Sequence, residues 1–335
     1  MTPTFWQSAC YILLFALFAG FTVLDGFDLG ISMMLPFFSK KDSHKTVLLN
    51  SIWPFWDGNE LWGLAAGILL FAAFPAVYAQ ALSVFYLPVL VFLVCLIYRA
   101  VAFELWFHLP AMRRLWEASF MVCSLLLSFM FGVLTGGVIA GIPVDESGRI
   151  GGDILAAAGF SPVVFGGYWT LTMLLSGAAW LTLKSEGEVR AKAIKVAKAL
   201  WLPDLIFMIL VALAIFLLKP EAMARPLVWI GFGLALYTSA TARLALAWGR
   251  SRMVFIAVAA TQLALWLALG AAQFPVLVQA REFPERSITA INASSPEPTL
   301  RLVALLTFAG GIVIVAYTTF VYRSLKGKAG SRENY

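Results

Sequence analysis

Six charged side chains lie inside stretches of sequence that are otherwise apolar. They form three groups along the chain: Asp25 with Asp28, Asp57 with Glu60, and Arg99 with Glu104. Residues three positions apart share one face of a helix, so each of the first two groups presents two carboxylates in one direction. Carboxylates in a low-dielectric setting can take up and release protons. One arginine among five carboxylates therefore indicates an ion-paired network capable of proton transfer.

The same residue types would also serve a purely structural role, in which ion pairs only hold helices together. Proton transfer and helix pinning both remain open at the level of the residues. Three other polar residues are weaker candidates. His44 lies in a lysine-rich segment and His108 at the end of an apolar stretch, and neither has an evident second ligand to share a haem. Asp204 follows Pro203, which predicts a carboxylate near the start of a helix.

The composition places these residues in a membrane protein. Of 335 residues, 61% are hydrophobic and 13% are charged, and the mean hydropathy is +0.87. Soluble domains are about 45–50% apolar and about 25% charged. This balance excludes a water-soluble enzyme and a nucleic-acid reader. Three dispersed cysteines and two histidines predict neither a disulfide framework nor a metal site.

A membrane-spanning helix needs about 20 mostly apolar residues. This criterion predicts an all-α integral membrane protein with about nine spans. The predicted ranges are roughly 6–36, 52–74, 78–108, 115–141, 162–183, 196–218, 226–248, 253–278 and 300–322. Two longer connections, around 142–161 and 279–299, are rich in Gly, Pro and Ser and are expected to be connectors.

The distribution of Lys and Arg predicts how the chain crosses the membrane. Sixteen of these residues fall in one set of alternate connections and the C-terminal tail, and six in the other set. Positive residues collect on the cytoplasmic side, so the N-terminus is expected in the periplasm and the C-terminus in the cytoplasm. The basic charge is therefore a topology signal, and no nucleic-acid partner is needed to explain it.

The predicted topology brings the six charges to one depth. At about 1.5 Å per residue, Asp25 lies about 28 Å along the first helix and Arg99 about 32 Å along the third. Asp57 and Glu60 lie within the first turns of the second helix, which runs in the opposite direction. All six charges are expected in the cytoplasmic third of the membrane.

Three segments carry a resemblance to a known family. They are LDGFDLG at 24–30, NSIWPFWDGNELW at 50–62 and YRAVAFE at 98–104. In this order they resemble subunit II of cytochrome bd-type quinol oxidases, including the cyanide-insensitive branch. Phe274-Pro275, the stretch AINASSP at 290–296 and Thr299-Leu300 look like the last outer loop of that family.

The resemblance implies a fold and a set of partners. The fold would be two four-helix bundles plus one peripheral helix. This chain would pair with a haem-bearing subunit I that holds two haems b and one haem d and oxidises quinol. The chain itself would hold no haem and no metal. A small single-helix subunit, lipids and quinone are further possible partners, and the location would be the bacterial cytoplasmic (inner) membrane.

The resemblance also implies roles for individual residues. Four would belong to a cytoplasmic route that brings protons toward the oxygen-reducing haem: Asp25, Asp57, Arg99 and Glu104. Asp28 and Glu60 lie beside this route. Trp62 corresponds to a position on an apolar path that admits oxygen. One departure from the family pattern is Ile291-Asn292, where many relatives carry Trp-Asp, so a role for that pair is in doubt in this chain.

The leading hypothesis is therefore a subunit of a terminal oxidase that couples quinol oxidation to the reduction of oxygen to water. The subunit would contribute assembly, a proton route and access for oxygen. An alternative is an independent proton or cation transporter that uses the same carboxylate–arginine cluster. Transporters often show inverted repeats and broken helices at mid-membrane, whereas no repeat is visible and the charges lie off-centre. A third possibility is an inert scaffold.

Overall fold

A computed structural model describes residues 2–143, 159–281, 283–325 and 327–330. These residues form eleven α-helices: α1 Phe5–Phe38, α2 Asp42–Ile52, α3 Trp56–Ala73, α4 Pro75–Val84, α5 Tyr86–His108, α6 Arg113–Ala140, α7 Phe160–Lys184, α8 Gly187–Leu218, α9 Pro226–Ala247, α10 Ser251–Gln273 and α11 Glu297–Ser324. Two short strands, β1 Val276–Val278 and β2 Ile288–Thr289, pair antiparallel between α10 and α11. We call the end where α1 begins the upper end, and the opposite end the lower end.

Most of these helices are long and apolar enough to cross a membrane. Among the described residues, eight helices meet this condition singly: α1 and α5 to α11. Helices α3 and α4 meet it only as a pair, bent by 113° at their junction, and together they make a ninth candidate span. The all-α membrane fold predicted from the sequence is confirmed.

The helices pack as two bundles that contact each other. Helices α1, α3, α5 and α6 form the first bundle, and α7 to α10 form the second. Helix α1 also packs along α7 and α10, which joins the bundles. Helix α11 lies at the periphery against α1 and α3. Only 11% of the residues in its most apolar 18-residue stretch are buried in this chain.

Glycine permits the close approach of α1 to α7. A Cβ atom added to Gly30 would lie 1.9 Å from the carbonyl oxygen of Met173, and one added to Gly177 would lie 2.6 Å from the amide nitrogen of Ile31. Neither position has room for a side chain. The two backbones therefore touch, as small residues allow in membrane helix pairs.

The helix boundaries near the second and third predicted spans differ from the sequence prediction. The range 78–108 was predicted as one helix, but the chain breaks between α4 and α5 at Phe85. Proline explains the breaks, because Pro75 opens α4 and Pro88 lies in the first turn of α5, positions that need no helical N–H partner. The lysine-rich segment before the second span was predicted as a loop, but it contains the helix α2.

Two further boundaries were wrong. The sixth span was predicted to start at 196, but α8 begins at Gly187, because its first three turns are basic and escape a search for apolar residues. The eighth span was predicted to reach 278, but α10 ends at Gln273. Pro275 cannot continue the helix, and the next residues form β1.

The connection between α10 and α11 is folded against the upper end of the first bundle. Ser295 donates its amide N–H to the Ala73 carbonyl (2.9 Å) and its hydroxyl to the Ala72 carbonyl (2.8 Å), which caps α3. Asn292 accepts from the Thr289 amide through Oδ1 (2.7 Å), so it stabilises the turn after β2. The other long connection, predicted at 142–161, lies mostly outside the described residues.

Candidate functional site

A buried ion-paired cluster joins three helices of the first bundle. Arg99 on α5 donates through Nη2 to Asp25 Oδ1 on α1 (2.8 Å) and to Glu60 Oε1 on α3. The side chains of Arg99 and Asp25 are 2% and 0% exposed, and that of Glu60 is 14% exposed. The network predicted from the sequence therefore has Arg99 at its centre.

Asp28 lies beside this cluster and is held by an amide rather than by a cation. Its Oδ2 accepts from Asn59 Nδ2 (2.8 Å). The side-chain oxygen Oδ1 of Asn59 lies 3.4 Å from the hydroxyl of Tyr322 on α11. Asp28 is buried, one turn below Asp25 on the same helix. Asn59 and Tyr322 were not assigned any role from the sequence. The only sequence signal for Asn59 is its place between Asp57 and Glu60.

A small enclosed cavity lies beside Asp28 and Arg99. It is lined by Asp28, Ile52, Trp56, Arg99, Phe103 and Phe120. Its volume, measured to the centre of a water molecule, is about 10 Å³, which fits one water. Asp28 Oδ1 and Arg99 Nε and Nη1 are buried and have no hydrogen-bonding partner among the described residues. The walls of this cavity are mostly aliphatic and aromatic, with Asp28 and Arg99 among the lining residues.

Two of the predicted site residues lie outside the cluster. Asp57 is exposed at the start of α3, and Glu104 is partly exposed on α5. Neither carboxylate has an ion pair or hydrogen bond to any described residue. The network of five carboxylates around Arg99 was thus too large: the structure brings Asp25, Glu60 and Asp28 together and leaves Asp57 and Glu104 apart.

Trp62 lies two residues beyond Glu60 on α3 and is partly buried. Its ring covers Gly20 of α1, where an added Cβ atom would lie 2.0 Å from Trp62 Cε3. Its indole Nε1 is buried without a partner among the described residues. The residue therefore lies in an apolar contact between α1 and α3.

A second buried ion pair was missed by the sequence analysis. Lys45 on α2 donates to Glu117 Oε2 on α6 (2.6 Å), and Trp106 Nε1 on α5 donates to Glu117 Oε1 (3.1 Å). Lys45 had been counted only as a loop lysine that reports topology. The i, i+3 spacing of Glu117 and the cavity residue Phe120 places this pair about one turn from the cavity.

Asp204 was also interpreted incorrectly. It was predicted near the start of a helix, but α8 begins at Gly187, so Asp204 lies in mid-helix and is 1% exposed. It faces Thr172 and Tyr168 on α7. A carboxylate within a span is costly, which is a sequence signal for a functional or paired residue. The predicted start of the span placed Asp204 near a helix end, so this signal was not used.

The two histidines are engaged at the lower end of the fold. His44 contacts the Ser39 hydroxyl (3.1 Å) and the Glu188 carboxylate (3.4 Å) through its two ring nitrogens. His108 Nδ1 lies 2.8 Å from the Glu104 carbonyl oxygen. No group of three His, Cys, Asp or Glu residues able to hold a metal ion occurs in the described part of the chain.

Comparison with known proteins adds the family to this geometry. The family model described as cytochrome bd terminal oxidase subunit II matches residues 6–325. The chain belongs to this family. As a cytochrome bd subunit II, it is part of a quinol oxidase, a membrane oxidoreductase complex that contains haem and a subunit I.

Relatives of this subunit II are similar over nearly its whole length. A probable cytochrome oxidase subunit 2 of Haemophilus influenzae is 26% identical, covering 95% of this chain and 93% of the relative. The cytochrome bd-I ubiquinol oxidase subunit 2 of Escherichia coli (strain K12) has the same identity and coverage. The cytochrome bd ubiquinol oxidase subunit 2 of Bacillus subtilis (strain 168) is 34% identical over 56% of each chain.

A solved structure supports the fold of this subunit II. The bd oxidase of Geobacillus thermodenitrificans contains a chain that superposes with a TM-score of 0.79, covering 96% of this chain and 98% of that one. The sequence identity is 13%, so this likeness concerns the architecture alone.

Proposed function

We propose that this subunit supplies a proton route from the cytoplasm toward the oxygen-reducing haem of its partner. The observation that carries the proposal is the buried cluster of Asp25, Glu60 and Arg99, with Asp28 beside it, inside the spans of the first bundle. Charged side chains at this position are costly and are retained where they have a function. One guanidinium faces three carboxyl groups, and Asp25 and Asp28 each keep one oxygen without a hydrogen-bonding partner among the described residues. Such oxygens can accept protons and pass them on.

Asp57 and Glu104 belong to the proposed route as its exposed members. Both lie on the helices that carry the cluster, at or near the end that the Lys and Arg distribution predicts to be cytoplasmic. Neither touches Arg99 in this chain, so their connection to the cluster would pass through water or through groups of subunit I. Trp62, in its apolar contact with Gly20, is proposed to lie on the path of oxygen.

We propose that the electron-transfer chemistry resides in subunit I, with two haems b, one haem d and the quinol site. The positions of His44 and His108, away from the bundle cores, support this assignment. The proposed orientation places the N-terminus in the periplasm and the C-terminus in the cytoplasm of a bacterial inner membrane. A small single-helix subunit, lipids and quinone complete the proposed set of partners.

The first experiment is to purify this chain, tagged in its host, after gentle solubilisation, and to record a reduced-minus-oxidised visible spectrum. We expect a larger subunit to co-purify, with absorption bands of haem b and haem d. A colourless chain that stays folded and purifies alone would contradict the proposed complex. Proton or cation flux in liposomes would then test the transporter alternative.

The proton route is tested in the assembled oxidase. We expect Asp25→Asn to lower oxygen consumption at least about tenfold with haem content intact, because a proton-accepting group is lost. Asp57→Asn should also lower it, and Arg99→Leu should do more damage, because it leaves buried carboxylates without their cation. Glu186→Gln, an exposed site at the start of α8, is the control. Normal turnover in Asp25→Asn and Asp57→Asn would leave only the scaffold role.

A further inference from the structure

A hydrogen-bonded chain leads from the carboxylate cluster to the peripheral helix. Asp28 on α1 accepts from Asn59 on α3 (2.8 Å), and Asn59 in turn accepts from Tyr322 on α11 (3.4 Å). The three residues are far apart in the sequence. Helix α11 buries little of its own surface in this chain, so this polar contact is unusual for it.

The Asn59 amide has distinct donor and acceptor ends, which give its hydrogen bonds to Asp28 and Tyr322 a direction. An asparagine side chain has one end that donates and one end that accepts. A tyrosine hydroxyl that donates to the Asn59 carbonyl oxygen leaves the NH₂ group facing Asp28. With the amide reversed, its oxygen would face a carboxylate oxygen, and the two acceptors would repel each other. The Asp28 carboxylate therefore selects the orientation in which Asn59 donates to it, and Tyr322 supports that orientation by donating to the opposite end of the amide.

Aromatic packing keeps the Tyr322 ring in place. Its centroid lies 4.3 Å from that of Phe55 and 5.7 Å from that of Trp180. Both of these rings lie under the ammonium group of Lys184, at 5.1 and 5.3 Å. Lys184 is the last residue of α7, so the tyrosine is fixed between the two bundles.

The segment after α11 is hydrogen-bonded to the helices that surround Tyr322. The Ala329 amide donates to the Lys184 carbonyl (2.8 Å), and Lys184 Nζ donates to the Leu325 carbonyl (2.5 Å). Asn50 Nδ2 on α2 donates to the Gly330 carbonyl (3.0 Å). These contacts tie the end of α11 to α7 and α2, which limits how far Tyr322 can move from Asn59.

We propose that Tyr322 is a positioning residue, which acts through the amide of Asn59 to hold Asp28. With Oδ2 held by the amide, Asp28 keeps Oδ1 buried without a hydrogen-bonding partner among the described residues, and its side chain lines the cavity together with Arg99. The role rests on the proposed proton route, for which it sets the geometry of one carboxylate. Tyr322 itself neither accepts nor passes on the transferred proton.

The test uses the assembled, haem-containing oxidase with Tyr322→Phe, which removes only the hydroxyl. The infrared band of the Asp28 carboxyl group is first identified as the band that Asp28→Asn abolishes. In Tyr322→Phe we expect this band to shift, and turnover to fall about fivefold, the effect of one ordinary hydrogen bond. Tyr317→Phe is the matched control, since Tyr317 lies on the same helix, is 52% exposed and makes no hydrogen bond to a described residue.

A double-mutant cycle asks whether the tyrosine acts through Asn59. In an Asn59→Ala background, Tyr322→Phe should cause no further loss of turnover and no further shift of the band. Additive losses would show that Tyr322 acts by another path, and would overturn the proposal. If Asn59→Ala fails to assemble, Asn59→Ser, which lacks the amide, takes its place.

The outcomes separate this proposal from the proposed function. A band that stays in place in Tyr322→Phe overturns the positioning role, whatever Asp25→Asn does to turnover. A band that shifts while turnover stays normal also overturns it, because the geometry of Asp28 would then have no consequence. Normal turnover in Asp25→Asn instead removes the proton route, and the infrared band still reports whether Tyr322 holds Asp28.

Discussion

Arg99 organises the polar interior of the first bundle. Its guanidinium is shared by Asp25 and Glu60, and its side chain lines the small cavity together with Asp28. Taking an ion from water into a low-dielectric interior costs several kcal/mol, and partners recover this cost only where hydrogen bonds are well placed. The cluster therefore remains intact only while all three helices keep their positions.

Burial of Lys219, at the upper end of the fold, has a free-energy cost that depends on pH. Lys219 is 3% exposed, and its Nζ donates to Gln279 Oε1 (3.1 Å). Burial lowers the pKa of Lys219 from 10.5 to about 8, with nearby Glu221 opposing and Arg225 adding to the shift. Below about pH 8 the lysine is charged in both the folded and the unfolded chain, so the full cost of burying it is present.

Between about pH 8 and 10.5 the folded chain releases this proton while the unfolded chain keeps it, so the contribution of Lys219 to stability improves as the pH rises. We expect Lys219→Met to raise the melting temperature of the assembled complex by a few degrees at pH 7, and to raise it less at pH 10. Lys195→Met, at an exposed position, is the control. An equal gain at both pH values would contradict this account.

At the scale of the elements, α1 packs against helices of both bundles. One face carries Asp25 and Asp28 to the polar cluster, while Gly30 meets α7 at backbone distance. Trp266 on α10 also donates to the Thr22 hydroxyl (2.9 Å). A shift of α1 would therefore disturb both bundles.

Gly30→Ala tests this packing. The new methyl group would overlap the Met173 carbonyl oxygen, so α1 and α7 must separate, at a cost of about 1–3 kcal/mol or more. We expect a lower melting temperature and a lower yield of assembled oxidase. Gly67→Ala on α3 is the control, because apart from the adjoining residues of its own helix no described atom lies within 4 Å of its added Cβ, and alanine favours the helix. Equal behaviour of the two variants would show that α1 and α7 can separate without cost.

At the scale of the whole molecule, the exposed members of the proposed route need an explanation. Asp57 is exposed near the start of a span, and Glu104 is partly exposed on α5. Lipid cannot solvate a carboxylate, so water or protein must cover such side chains. Helix α5 also exposes apolar residues along most of its length. The α3–α5 side is therefore expected to face subunit I.

Cysteine labelling in membranes checks this expectation. A cysteine at Asp57 should react with a maleimide when the chain is expressed without subunit I, and should be protected when the two are expressed together. Lys40→Cys, at an exposed position between α1 and α2, should react in both cases. The unmodified chain, with its own Cys10, Cys95 and Cys123, provides the background. Equal reaction at Asp57→Cys in both membranes would place subunit I on another side.

The helix boundaries show where sequence reasoning works and where it fails. The span of α11 was predicted closely, because apolar residues and flanking polar residues mark it. The start of α8 was missed, because a helix that extends beyond the membrane becomes basic while its backbone remains helical. Asp204 was consequently predicted near the start of a helix, although it is buried within α8.

The carboxylates show the same limit within the site. Asp57 and Glu60 were expected to act together, but residues three apart on a helix differ by about 60° around its axis. That rotation is enough for Glu60 to reach Arg99 while Asp57 faces outward. Which of two neighbours enters an interface depends on how the helix is turned, and the turn is set by the packing of other helices.

Hydrophobicity is a local property that adds up along each segment, so the amino-acid sequence was enough to establish a membrane protein, its order of spans and the charged residues that are costly within them. The partners of those residues come from distant parts of the chain. Arg99 meets Asp25 across 74 positions, and Tyr322 meets Asn59 across 263. These pairings exist only once the helices have packed, because packing fixes the rotation, tilt and depth of every helix at the same time.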